Sequence, residues 1–79
     1  MTIETNWIVF PEGETQEIPG PLRMGQLVDL NGRPLPLPLP TARMIAYRVV
    51  GIRRKDERGS LDSFHKVELV PAFELAEYC

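Results

Sequence analysis

Arg43-Met-Ile-Ala-Tyr-Arg-Val-Val-Gly-Ile-Arg-Arg-Lys-Asp-Glu-Arg-Gly-Ser-Leu-Asp-Ser-Phe-His-Lys-Val-Glu-Leu-Val70 is the stretch that decides the fold. It contains an apolar run, a charged segment of about ten residues and a second apolar run that can return antiparallel, the pattern of a long β-hairpin. The outward run is β-branched or aromatic at Ile45, Tyr47, Val49, Val50 and Ile52, which suits a pleated surface. Alternation puts Ile45, Tyr47 and Val49 on one face and Met44, Ala46, Val50 and Ile52 on the other with Arg48. With both faces largely apolar, the expectation is a central strand or one bent between two layers.

The return run, Phe64 to Val70, alternates more cleanly, with Val67 and Leu69 on one face and Lys66 and Glu68 on the other. A register with Tyr47 opposite Leu69 and Val49 opposite Val67 keeps the apolar residues together and sets Arg48 against Glu68. Carried on without interruption, it places Gly51 opposite His65, where a residue without a side chain leaves room for an imidazole or permits a bulge.

Working outward, Trp7-Ile-Val-Phe10 and Thr15-Gln-Glu-Ile18 form a first hairpin across Pro11-Glu-Gly-Glu14. Proline suits the first inner position of such a turn, and glycine supplies a positive φ. Pro19-Gly-Pro21 then takes the chain out of any ladder, because neither proline has an N–H to donate. Gln26 to Leu30 reads as a third strand followed by the hairpin signal Asn31-Gly32. Its partner, Arg33-Pro-Leu-Pro-Leu-Pro-Leu-Pro40, has proline at every second position. If extended, it lays Leu35, Leu37 and Leu39 on the core and leaves Pro36 and Pro38 outside, an edge segment whose prolines discourage further strand addition. A polyproline ligand for SH3 or WW domains needs prolines three apart, and no two of these four are so spaced. Pro71 to Cys79 has good helix formers behind a proline suited to a first turn, with Phe73 and Ala76 on one side. It is either a short helix docked on the sheet or a frayed tail.

Seventy-nine residues, 43% hydrophobic and 25% charged, describe one small domain over 1–79 with a core near the lower limit for independent folding. The net charge of −2 conceals an asymmetry. Residues 1–42 hold two basic and five acidic groups, residues 43–70 seven basic and four acidic, and residues 71–79 two acidic. The hairpin is the positive part of an acidic chain, a balance that argues against a dedicated nucleic-acid binder. Cys79 is the only cysteine, so no intrachain disulfide forms. The first residues lack the positive start of a signal peptide and no apolar run approaches a membrane span, so a cytoplasmic location without membrane association is expected. The expected fold is mainly β: a small antiparallel barrel or rolled sheet of SH3-like or OB-like size, with the long hairpin and a helical C-terminus.

Chemistry-bearing residues are few. Asp62, Ser63 and His65 can be written as a hydrolytic trio, but a triad needs a nucleophile on a held turn and an oxyanion site, and sequence neighbours do not supply them. A solvent-facing histidine at a strand start is the plainer reading, and an enzyme using His65 is the weakest of three function classes. A structural zinc wants four ligands where His65 and Cys79 are the only soft ones, so neither metal nor cofactor is expected. Paired carboxylates such as Glu12 with Glu14 or Asp56 with Glu57 lie in segments where water keeps them ionised. Trp7 is expected in the core, with an exposed partner-binding role as the alternative.

The binding candidates lie on the hairpin. Arg53, Arg54, Lys55 and Arg58 form its densest charge, Arg48 and Lys66 extend the patch, and Tyr47 or Phe64 offers a stacking face. The leading expectation is a non-catalytic module that binds protein, a second copy included, through this hairpin. Single-stranded nucleic-acid binding by the same surface is the alternative. Asp56, Glu57 and Asp62 partly neutralise the segment, which is also how a solvated turn looks.

Overall fold

The structure, a computed structural model, describes residues 2–79. Five strands form one mixed sheet curled into a half-barrel: β1 (Ile3–Val9), β2 (Thr15–Ile18), β3 (Leu27–Val28), β4 (Tyr47–Glu57) and β5 (Ser60–Leu69). Their spatial order is β2-β1-β5-β4-β3. A short helix α1 (Ala72–Leu75) continues into a 3₁₀ turn over Ala76–Tyr78. The mainly β expectation is met, but the sheet is not wholly antiparallel: β1 lies parallel to β5, with Trp7 beside Phe64 and Ile8 beside His65. The first hairpin closes as expected, Val9 facing Thr15 and Trp7 facing Glu17, with Gly13 at φ +96° in its turn.

The long hairpin has the expected register at its base, with Tyr47 opposite Leu69, Arg48 opposite Glu68 and Val49 opposite Val67. Beyond Val49 it departs. A β-bulge at Val50 sets Gly51 opposite Lys66 and Ile52 opposite His65, so the uninterrupted Gly51–His65 pairing is corrected by one residue. The charged segment is not a long turn either. Both strands run through it, and only Arg58 and Gly59 connect them, at φ +32° and +81°. Positive φ at both central residues suits a tight hairpin whose twist matches that of its strands. An eleven-residue strand spans about 36 Å, which accounts for the molecule's long dimension of 44 Å against 23 and 17 Å.

The sheet buries residues on both faces near the hairpin's base. One face carries Ile8, Phe10, Ile18, Leu22, Val28, Tyr47, Val49 and Val67 in a single cluster, with Phe10 edge-on to Tyr47 at 5.2 Å between centroids. The other carries Leu27, Leu39, Ala46, Val70 and Leu75. The two residues of β3 divide between them, Val28 facing Tyr47 and Leu27 facing Arg48. The second cluster is closed by α1 and the proline-rich segment, whose Leu39 N–H donates to the Tyr78 carbonyl at 2.7 Å. Of the two expected alternatives the C-terminus takes the docked helix, held through Leu75, while Phe73 is 77% exposed.

The proline tract is corrected in part. Its hairpin with β3 forms, with the Leu35 N–H donating to the Leu27 carbonyl at 3.0 Å and Asp29 Oδ1 accepting from the N–H groups of Asn31 and Arg33. The segment then bends at residues 37 and 38 instead of remaining extended. Strict alternation ends there: Leu39 is buried at 4% exposure, Leu35 is half-buried and Leu37 is 59% exposed. The expected second covered face of β4 is likewise limited to its base, since Val50 and Ile52 are exposed.

Candidate interaction site on the far half of the hairpin

The bulge at Val50 determines which side chains meet. Without it, Arg53 would follow Val49 onto the face of the first cluster. One extra residue reverses that parity, so Arg53 lies opposite Phe64 and Lys55 opposite Asp62, on the face that carries Arg48 and Lys66. The parallel pairing of β1 with β5 adds Trp7 beside Phe64 and Val9 beside Lys66. Trp7 is thus not a core residue. It is half-buried on this face, stacked on Phe64 at 6.4 Å between centroids and 13° between planes, and its Nε1–H donates to Asp62 Oδ1 at 3.3 Å.

Beside this aromatic pair lies a cleft of about 740 Å³ lined by Val9, Gly51, Ile52, Arg53, Arg54, Lys55, Phe64 and Lys66. Gly51 is what opens it. A Cβ built at that position comes no nearer to any neighbour than 3.9 Å, from Lys66 Cβ, so the floor of the cleft is space a side chain would occupy. The cations around it are exposed. Lys55 Nζ is 3.3 Å from Glu57 Oε1, a pair open to solvent on both sides.

Of the binding candidates read from sequence, the structure gathers Arg53, Arg54, Lys55, Phe64 and Lys66 at this cleft and separates the other three from it. Tyr47 is buried in the first cluster. Arg48 is tied down: its guanidinium donates to Glu68 at 2.5 Å and to Glu74 at 2.9 Å. Glu68, then Tyr78 and Glu74, hold it protonated, well above the ordinary arginine range. That residue fastens α1 to β4 and β5. Arg58 sits in the turn beyond the cleft. Val9, Gly51 and Ile52 at the cleft, and Trp7 beside it, are the site residues that sequence reading did not select as such. The only signal for Gly51 was its lone position within an apolar strand, which marks a bulge or a close approach.

His65 corrects the expectation of a solvent-facing residue. It is 1% exposed, on the core face between Ile8 and Ile52. The Leu22 N–H donates to its Nε2 at 3.1 Å, and its Nδ1 lies 2.9 Å from the Trp7 carbonyl. Those partners assign the neutral tautomer with the proton on Nδ1. Both ring nitrogens are engaged by backbone, so neither is free to activate Ser63. The side chain ties the segment after Pro21 to β1 and β5. Among the described residues, no group of three or more His, Cys, Asp or Glu side chains is placed to hold a metal ion, and no helix is long and apolar enough to cross a membrane.

The family described as "Uncharacterised Treponema protein" matches residues 2–78. No curated protein and no solved structure matches the chain.

Proposed function

We propose that this chain, which belongs to the uncharacterised Treponema protein family, is a non-catalytic interaction module. Its recognition surface is the cleft beside Trp7 and Phe64, and its partner is a protein segment with an aromatic or apolar anchor flanked by acidic residues. The observation that carries this reading is the half-open Trp7–Phe64 stack bordered by Arg53, Lys55 and Lys66. An anchor side chain entering the space above Gly51 would be desolvated against Phe64 and Val9, while cations at the rim select acidic flanks and speed encounter.

The same groups can stack a base and neutralise phosphate, which is the second reading. The charge distribution favours protein. Asp56, Glu57 and Asp62 lie along the same half of the hairpin, and the whole chain is acidic at −2, so a polyanion meets opposition along its length where a short acidic flank does not.

The test is a titration of labelled full-length protein with an Asp/Glu-flanked tryptophan peptide and, separately, with a dT oligonucleotide, followed by amide chemical shifts. The expected result is peptide-induced shifts at Gly51, Arg53, Phe64 and Lys66 that vanish in Gly51→Val, which fills the cleft and leaves every charge in place. The oligonucleotide is expected to bind no tighter than about 10⁻⁵ M near physiological salt. A submicromolar oligonucleotide complex that weakens steeply with salt would put the second reading first.

A further inference from the structure

Beyond its base, β4 has an open edge. Val49 bonds outward, its carbonyl accepting from the Gly25 N–H at 2.8 Å and its N–H donating to the Gln26 carbonyl at 3.0 Å. β3 itself reaches only Tyr47 and Arg48. Among the described residues, Val50 to Glu57 have no strand on the side away from β5. Which backbone groups are free follows from the turn. Glu57 and Ser60 bond each other across the two-residue connection, so by alternation Ile52, Arg54 and Asp56 point their N–H and C=O groups away from β5.

We propose that this edge joins two copies of the chain, β4 pairing antiparallel with β4 of a second molecule and Lys55 facing Lys55 at the two-fold axis. Three observations select that arrangement. First, two identical antiparallel strands related by an axis through the sheet must place some residue opposite its own copy, which limits the registers to a few. Second, Lys55 on the axis sets Arg54 opposite Asp56 and Arg53 opposite Glu57, each twice, so four cross-strand pairs are of opposite charge. With Arg54 on the axis, Arg53 would face Lys55; with Asp56 there, Arg54 would face Arg58. Third, the length fits. In the Lys55 register the second molecule's strand ends with its Arg58 against Ile52, short of the Gly25–Gln26 segment that already occupies the edge at Val49. Placing Arg53 on the axis would demand Val49 itself.

Charged edge residues ordinarily discourage strand addition. Here their order, Arg53-Arg-Lys-Asp-Glu57, is complementary to itself when reversed about Lys55, so it opposes other registers and admits one. The Lys55 pair on the axis is not bare positive charge, because each ammonium already has Glu57 of its own strand at 3.3 Å. An axis through the sheet keeps both Arg48-bearing faces on the same side, which sets the two clefts side by side. The pairing rests on the backbone edge of β4 and its charge order, and Arg53, Arg54 and Lys55 take part in it as well as lining the cleft.

The test has two arms, both on the full chain. In a Cys79→Ser background, Arg53→Cys, Arg54→Cys and Lys55→Cys are oxidised mildly. Residues facing each other across an antiparallel ladder are within disulfide reach, and positions off the axis are more than about 7 Å from their own copies. Lys55→Cys is therefore expected to give the covalent dimer and the other two are not. In the second arm, sedimentation equilibrium of the wild type is expected to show a monomer–dimer equilibrium in the micromolar-to-millimolar range. Arg53→Glu with Arg54→Asp shifts it to monomer, and adding Asp56→Arg with Glu57→Arg restores the dimer. A wild type monomeric throughout that range, equal cross-linking at all three positions, or a full charge exchange that stays monomeric would each overturn the proposal.

Discussion

At the base of the long hairpin, Tyr47, Val49 and Val67 are buried within one cluster, while Leu27, Ala46 and Val70 close a second on the opposite face. In its far half the same two strands carry Arg53, Arg54, Lys55, Asp56 and Glu57, all exposed. Backbone pairing runs from one end to the other, interrupted only by the bulge at Val50, so the extent of the ladder does not distinguish them. What differs is covering. The base has the Leu22 segment and Val28 on one face and α1 with Leu39 on the other, and its stability comes from burial on both. The far half has β1 beside it and, among the described residues, no element packed over either face. Its order comes from pairing, the tight turn and the Trp7–Phe64 stack. A protein of this size has little core to spare, and this one concentrates it at the base, leaving the far half with side chains that the fold does not require.

The sharpest way to break that contrast is to weaken the base at one buried point. His65→Leu keeps an apolar side chain of similar bulk but leaves the Leu22 N–H without its partner in the core and removes the Nδ1 link to the Trp7 carbonyl, which stays in the β1–β5 ladder. With about 1–3 kcal/mol for the stranded N–H and about 0.5–1.5 kcal/mol for the lost Nδ1–H bond, the expected loss is on the order of 3 kcal/mol, read as a lower midpoint in urea denaturation. His65→Gln, which retains a donor and an acceptor, is expected to lose clearly less. An unchanged midpoint for the leucine variant would mean that the base does not depend on this link.

A smaller and more discriminating effect separates two leucines of one tract. Leu39→Ala removes a side chain packed with Ala46, Val70 and Leu75 and is expected to lower stability by about 2 kcal/mol or more. Leu37→Ala, two residues away and outside the core, is expected to change it by less than about 0.5 kcal/mol. Equal losses would show that the tract is packed along its whole length, as an extended segment would be.

Residues that decide the fold differ in how readily they can be read. The base register was legible because Tyr47, Val49, Val67 and Leu69 alternate with Arg48 and Glu68, and only one pairing keeps both sets together. The bulge was not: an extra residue in a strand reverses parity without changing composition, and Val50 is as good a strand residue as its neighbours. That single uncertainty hid the site, since Arg53 meets Phe64 only once the parity is reversed. Charge misled at Arg53 to Glu57, where a mixed-sign run resembles a solvated turn although the true turn is Arg58-Gly59. The environment of His65 left no trace in sequence because its partners are main-chain groups of residues 43 and 58 positions away, and every residue but proline has such groups to offer. Trp7 joined the site through a parallel pairing that no local signal near β1 announces.

The smallest expected effect tests the far half alone. Replacing Arg53, Arg54, Lys55 and Arg58 together with serine removes four exposed cations and one solvent-open ion pair, Lys55 with Glu57. Exposed pairs of that kind contribute about 0–1 kcal/mol, and surface substitutions away from caps and buried networks usually fall within about 0.5 kcal/mol each. Serine is a poorer strand former than arginine or lysine, but the turn keeps Gly59, the residue that most needs its positive φ. The denaturation midpoint, measured at a protein concentration where the chain is monomeric, is therefore expected to move only slightly, and far less than for His65→Leu. Peptide binding at the cleft and the restoring effect of high concentration on the dimer should both disappear, because those cations form the rim of one and the complementary half of the other. A large drop in the midpoint would reverse the comparison: it would mean that the charged strands hold up the base as well as extend from it, and that recognition and folding are not divided along the hairpin.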